Sequence, residues 1–263
     1  MTEGDRSKLA RSEARTSDPG PRESRGVSGT TRDVPGGLST MITIVAVTWK
    51  RVLRGRALWV GAVLALMPVA YAVGMRFAEV ERGLRPNLFV FEQLVLSVLA
   101  PMFVASSIGE EIEDRTITYL WCRPVPRWAV LLGKLSALAL IPGVLIAVSW
   151  FVGLEIGLGF GPQARSYVAL FAGSVTVSII AAGLAVLVPR HGMALTVCYM
   201  LFDAAVSNIP ASIENLTVSY NVRAIAQVPS IADGDAATGA IWLAVIALTW
   251  LGIGLWRIRR IEA

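Results

Sequence analysis

Six apolar runs follow one another along the chain, at 57–75, 88–108, 129–154, 167–188, 192–209 and 239–256. Each is at or near the roughly 20 residues that a helix needs to cross a hydrocarbon core about 30 Å thick. Leu, Val, Ala and Ile dominate them, and their Gly and Pro residues are of the kind that lipid-embedded helices tolerate. One run of this type fits inside a soluble protein, but six in series cannot share one core in a chain of 263 residues. Composition agrees: 54% of residues are hydrophobic, only 16% are charged, and mean hydropathy is +0.60. The expected fold class is therefore an all-α integral membrane protein with six transmembrane helices. The fifth run is the weakest, being short and carrying Asp203.

Residues 1–40 read differently, as an Arg-, Ser- and Gly-rich stretch that cannot bury enough apolar area to offset the entropy of ordering. A disordered tail is expected there, without the apolar core and cleavage site of a secretory signal. Met41 falls where structure is expected to begin, which leaves open whether it is the true start. From Met41 to Arg56, Ile44, Val45, Val47, Thr48, Trp49 and Val52 can form one side, while Lys50, Arg51, Arg54 and Arg56 gather at the end. This suits an interfacial helix with its cations among headgroups, or else an N-terminal extension of the first span.

Cations beside the spans set the orientation. With both termini cytoplasmic, the inner side holds twelve: Lys50, Arg51, Arg54, Arg56, Arg115, Arg123, Arg127, Lys134, Arg190, Arg257, Arg259 and Arg260. The outer side then holds only Arg76, Arg82, Arg85, Arg165 and Arg223, so the excess of Lys and Arg places both ends inside. The net charge of +5 reports this topology and not nucleic-acid binding. Two connections are long enough to hold structure, the inner one at 109–128 and the outer one at 210–238.

The inner connection is the more informative. Ile108, Ile112, Tyr119 and Leu120 recur near helical spacing, and Glu110, Glu111, Glu113, Asp114 and Arg115 take the remaining surface. The spacing predicts a short amphipathic helix continuing out of the second span. Pro124 and Pro126 end it and turn the chain back towards the membrane through Trp128. Its acidic face suits docking to a basic groove on a soluble partner, or is simply solvated. The order of acidic helix, Arg115-Thr116, Tyr119-Leu120, Arg123-Pro-Val-Pro-Arg127-Trp128 and Leu132-Gly133-Lys134 resembles the signature of ABC-2 type permeases. Many members of that family carry Gly-Thr at the position of Arg115-Thr116. The resemblance runs from about Met41 to the C-terminus and adds an interfacial helix before the first span and a large outer loop before the last. It implies a permease subunit of an ATP-driven transporter, an exporter in most such systems, in the plasma membrane. The helix 109–121 would couple it to a separate ATPase through Glu110, Glu111, Glu113, Asp114, Arg115, Thr116, Tyr119 and Leu120. Arg123, Pro124, Pro126 and Arg127 would hold that helix at a fixed angle. The implied partners are a cytosolic ABC ATPase subunit carrying ATP and magnesium, a second permease, identical or not, and membrane lipids.

Other chemistries fit less well. One histidine, His191, and two separated cysteines, Cys122 and Cys198, offer no clustered metal ligands. Gly133-Lys134-Leu-Ser lacks the earlier glycine and the Ser or Thr directly after the lysine that a phosphate-binding loop needs, so no ATP site is expected on this chain. Glu110-Glu111 with Arg115 also matches the EExxxR pattern of CAAX-processing-type intramembrane proteases, but those enzymes need further histidines on other helices. A membrane scaffold that recruits a partner without transport is the remaining alternative. Asn215-Leu-Thr217 fits a glycosylation acceptor. Gly153, Gly157 and Gly161 are spaced for close helix contact, or mark a turn. Two carboxyls within the spans are candidates for a pathway. Asp203, about 17 Å along its helix, faces a polar cavity, a partner protomer or a local hydrogen-bond donor, and Glu92 reads as an interfacial group near the outer end of the second span.

Overall fold

The computed structural model describes residues 37–78, 83–113, 127–159, 164–209, 212–228, 231 and 234–260. Every regular element among them is helical. In chain order these are α1 (Gly37–Leu53), α2 (Arg56–Phe77), α3 (Leu84–Glu113), α4 (Arg127–Leu158), α5 (Ala164–Leu187), a 3-10 turn (Pro189–His191), α6 (Gly192–Val206), a second 3-10 turn (Ser212–Leu216), α7 (Val218–Ala226) and α8 (Ala236–Arg260). Five helices are long and apolar enough to cross a membrane, within Arg56–Phe77, Leu84–Gly109, Trp128–Gly157, Ala164–Leu187 and Ala236–Ile258. They match five of the six expected runs. The run at 192–209 forms only the 15-residue α6, about 22 Å long and short of a full hydrocarbon crossing. Helix α1 begins at Gly37, four residues before Met41, and the rest of the expected tail, 1–36, lies outside the described residues.

Glycines set the register of the bundle. A Cβ on Gly153 would meet Leu88, and one on Gly157 would meet Leu84, with Ala72 beyond both. These contacts bring α3 and α4 together antiparallel and seat α2 across them. Gly153 and Gly157 therefore pack helices and do not merely turn the chain, while Gly161 lies outside the described residues. The edge-to-face pair Phe89–Trp150, with ring centroids 5.4 Å apart, belongs to the same seam. Gly61 opens a slot on α2 for the Phe103 ring. Pro68, Pro101 and Pro142 sit inside continuous helices.

Helix α5 is the hub, in contact with α3, α4, α6, α7 and α8. Its small residues, among them Ala169, Gly173, Ser174, Ser178, Ala181, Ala182, Gly183 and Ala185, are all buried. Helices in lipid gain little from burying apolar area against one another, so close approach at small residues supplies the packing. Gly173 receives Val222 of α7, and Gly183 receives Trp250 and Gly254 of α8. Along α3 and α5, Leu96 lies near Gly173 and Gly109 near Pro189, so these two helices run in the same direction. Helix α8 starts beside α7, where Gly239 meets Asn221 and Ala224, and reaches Gly183 towards its end. Helices α5 and α8 are thus parallel, and the chain between them returns through α6. The outward faces of α2 and α8 carry exposed Trp59, Val63, Leu66, Ile241, Val245 and Leu248, which suits contact with lipid.

The first helix is separate from the first span. Gly55 is extended, with φ −82° and ψ 151°, and the chain turns there between α1 and α2. Met41 and Ile44 of α1 lie against Gly133 of α4, and Thr48 is buried. Trp49 donates its indole N–H to the Ala137 carbonyl of α4 at 2.9 Å. Val47, expected on the packed side with Ile44, is 63% exposed, because the seam follows Ile44, Thr48 and Val52 at helical spacing.

Candidate functional site: the inner end of α3 and the carboxyls of the bundle

The end at which α3 stops and α4 starts is taken as the inner end, following the distribution of cations. The membrane-length part of α3 ends at Gly109, yet the helix runs on to Glu113. Ile108 is buried and Ile112 packs on the core, as their spacing predicts. Glu110, Glu111 and Glu113 lie on this helical continuation, and Arg127 opens α4. Asp114, Arg115, Thr116, Tyr119, Leu120, Arg123, Pro124 and Pro126 lie outside the described residues. Lys134 is half-buried one residue after the glycine on which α1 rests.

Sequence reading missed a second component of this inner end. A Cβ on Gly109 would lie 2.7 Å from the Pro189 carbonyl oxygen, so the backbone of α3 touches the turn Pro189–His191. A Cβ on Gly192 would lie 2.7 Å from the Ala185 Cα, which folds that turn tightly onto α5. The available signal was a glycine within a helical pattern at each point, since such glycines often mark close backbone approach.

Glu92 is fully buried, contrary to its reading as an interfacial group. The Ser149 hydroxyl donates to its Oε1 at 2.7 Å across the α3–α4 seam. The seam carries Leu84, Leu88 and Glu92 at successive turns of α3, and this spacing aims the carboxyl inward.

Asp203 is also buried, and its partners belong to the backbone. Oδ1 accepts the Val218 N–H at 2.7 Å and Oδ2 the Ser219 N–H at 2.9 Å. The carboxylate thus closes the N-terminus of α7, where unsatisfied N–H groups and the helix dipole favour negative charge. Thr217 is the local cap, accepting the Tyr220 N–H at 3.4 Å and donating its hydroxyl to the Glu214 carbonyl at 2.7 Å. Arg223 donates to the Ser207 carbonyl at 2.7 Å and to Asn208 Oδ1 at 3.1 Å, binding α7 back to the end of α6. Gln93 of α3 donates to the Ser219 carbonyl at 3.1 Å. Asp235 caps α8 through the Ala237 and Thr238 N–H groups, each at 3.2 Å. The connection 210–238 therefore contains a helix lodged among α3, α5 and α8, held to α6 by charge-assisted bonds.

No group of three or more His, Cys, Asp and Glu side chains suited to a metal occurs among the described residues. The arrangement is that of a multi-pass helical membrane protein whose buried carboxyls, Glu92 and Asp203, join neighbouring helices. Residues 91–214 match the family model described as ABC-2 family transporter protein, and the match supports an ABC-2 type permease, the membrane component of an ABC transporter. The matched segment opens one residue before Glu92 and takes in the inner connection, the Gly109–Pro189 contact and Asp203. No curated protein matches the chain. The family implies association with an ABC ATPase subunit.

Proposed function

We propose that this chain is the six-crossing permease subunit of an ATP-driven exporter in the plasma membrane, with both termini cytoplasmic. The observation that carries this reading is the continuation of α3 beyond its membrane-length part into the acidic stretch, inside the segment that matches the family. In this reading residues 109–121 form the coupling helix, resting on a cytosolic ATPase that holds ATP and magnesium. The parallel course of α5 and α8 requires a return between them, and α6 with the connection 210–238 makes the remaining crossing. Helix α1, packed on α4 and ending in Lys50 and Arg51, lies at the inner interface with its cations among headgroups.

Two such subunits, identical or not, would form the membrane dimer. Closure of the ATPase subunits on ATP presses on both coupling helices and shifts the dimer between inward-open and outward-open states. Such a shift is possible only as far as the contact energy of the coupling helix differs between the two states. The test is purification of the tagged chain from its native membrane in mild detergent, with mass spectrometry of what accompanies it. A soluble subunit bearing a phosphate-binding loop, lost from the E110K/E111K/E113K variant, is the expected result. Cross-linked preparations that repeatedly contain no ATPase would overturn the transporter reading.

A further inference from the structure

Glu92 is met by the protein on one side only. Ser149 donates to its Oε1, while Oε2 is buried without a hydrogen-bond partner among the described residues. Asp203, the other buried carboxyl, has both oxygens taken by backbone N–H groups. Two more unpartnered polar atoms belong to the same layer of the bundle, the Trp150 indole N–H and the Ser166 hydroxyl, and both side chains are fully buried. Native interiors leave few polar atoms unmet, and those that lie together are commonly joined by an ordered water.

The register of the helices sets this layer. Leu84, Leu88 and Glu92 of α3 meet Gly157, Gly153 and Ser149 of α4 in turn, and Trp150 follows Ser149 to pack its ring on Phe89. Helices α3 and α5 run in the same direction with Leu96 near Gly173, so seven residues back on each, Phe89 stands level with Ser166. Helices α4 and α5 run oppositely with Gly143 beside Ser174. Eight residues towards the outer end on both, Ser166 stands level with the residue after Trp150. Two turns before Gly173, Ser166 also shares the face of α5 that meets α3.

We propose that Glu92, Trp150 and Ser166 hold one ordered water molecule in the seam of α3, α4 and α5. The water donates to Glu92 Oε2, accepts the Trp150 N–H and exchanges a hydrogen bond with the Ser166 hydroxyl, which makes the usual number of partners for a buried water. A metal ion does not fit, because an indole N–H only donates and hard cations take several oxygen ligands. Helix α5 begins at Ala164, directly before Ser166, so water reaches the site from the outer end by a short route. Ser174 and Ser178 are also buried and unpartnered, but they lie about 12 and 18 Å further in. The three helices are thereby tied near their outer ends through an exchangeable molecule, and hydrogen bonds of that kind re-form after the helices shift. Glu92, Ser149, Trp150 and Ser166 all fall within the residues that match the family.

Hydroxyl-radical footprinting of the full chain in nanodiscs tests the site, since X-rays generate radicals from protein-bound water and those radicals oxidise the side chain beside it. Trp150 is 0% exposed, so its oxidation reports water inside the seam. Transfer into heavy-oxygen water before the pulse separates held water from bulk. Oxidation of Trp150 is expected in the wild type, with heavy oxygen entering the product more slowly than at the exposed His191. The signal should be lost in E92L and in S166A and kept in S174A; S166A removes a single hydroxyl and keeps the test open where E92L disturbs folding. A wild-type Trp150 that stays unoxidised would overturn the proposal, as would oxidation of S166A at the wild-type level. Heavy oxygen arriving as fast as at His191 would mean a crevice filled by bulk water, and a loss in S174A as large as in S166A would put the water elsewhere; either result also overturns it.

Discussion

Removal of the Asp203 carboxylate should release α7 from α6 without unfolding the rest of the bundle. The side chain is only 4% exposed, and its two oxygens take two backbone N–H groups at 2.7 and 2.9 Å. Asp203→Ala leaves both donors without partners in a site that water does not freely reach. At about 1–3 kcal/mol for each orphaned group, reduced where the truncated side chain lets water or a shifted backbone reach the two donors, the cost comes to roughly 2–4 kcal/mol; the Tyr220 N–H stays on Thr217 in either case. Asp203→Asn keeps one acceptor oxygen and loses the charge at the helix N-terminus, for about 1–2 kcal/mol. Hydrogen–deuterium exchange of the purified protein, read on peptides spanning 217–226, measures the local opening directly. Protection there should fall roughly 30- to 1000-fold in D203A and about 5- to 30-fold in D203N, at 1.4 kcal/mol per factor of ten. Peptides from α4 should keep their wild-type rates. Unchanged exchange across α7 in D203A would show that the carboxylate does not hold that helix, and the account of the connection 210–238 would fail with it.

Two further perturbations test the seams. Trp49→Phe keeps the aromatic packing of α1 on α4 but removes the donor to the Ala137 carbonyl; it should cost about 0.5–1.5 kcal/mol and speed proteolysis within α1, and resistance equal to wild type would argue against that tether. Ser149→Ala strips Glu92 of its hydroxyl donor and should destabilise the protein by about 1–3 kcal/mol in a detergent melt. Adding Glu92→Leu to Ser149→Ala should restore most of that loss, because an apolar pair needs no partner. Additive losses in that double variant would mean that the two side chains do not interact.

Much of the architecture can be read from the chain because the solvent imposes it. Hydrocarbon demands long apolar helices with internally satisfied backbones, so five runs appear as five long helices with ends within a few residues of expectation. The Ile108–Ile112 spacing likewise signals that α3 outlasts its membrane-length part. These are properties of periodicity and length, which a segment carries whatever its neighbours are.

The roles of the two carboxyls are of another kind. Glu92 and Asp203 stand out in the sequence as ionisable groups in apolar runs, but their partners come from other elements, 57 residues away for Ser149 and 15 and 16 residues away for Val218 and Ser219. The spacing with Leu84 and Leu88 puts Glu92 on the packed face of α3, but nothing local names the donor that meets either carboxyl. Gly109 and Gly192 show the same limit, since a glycine announces room for a close approach and not the identity of what approaches. The short reach of α6 is likewise a tertiary outcome: its apolar pattern continues to Ile209, but the Asp203 carboxylate, the Arg223 guanidinium and the α7 backbone meet where the helix stops. Length and apolar pattern of the five long helices, set by what their own residues require of lipid and water, were decided by sequence alone. Which buried polar group satisfies which other was decided only when the tertiary structure brought distant donors and acceptors within hydrogen-bond reach.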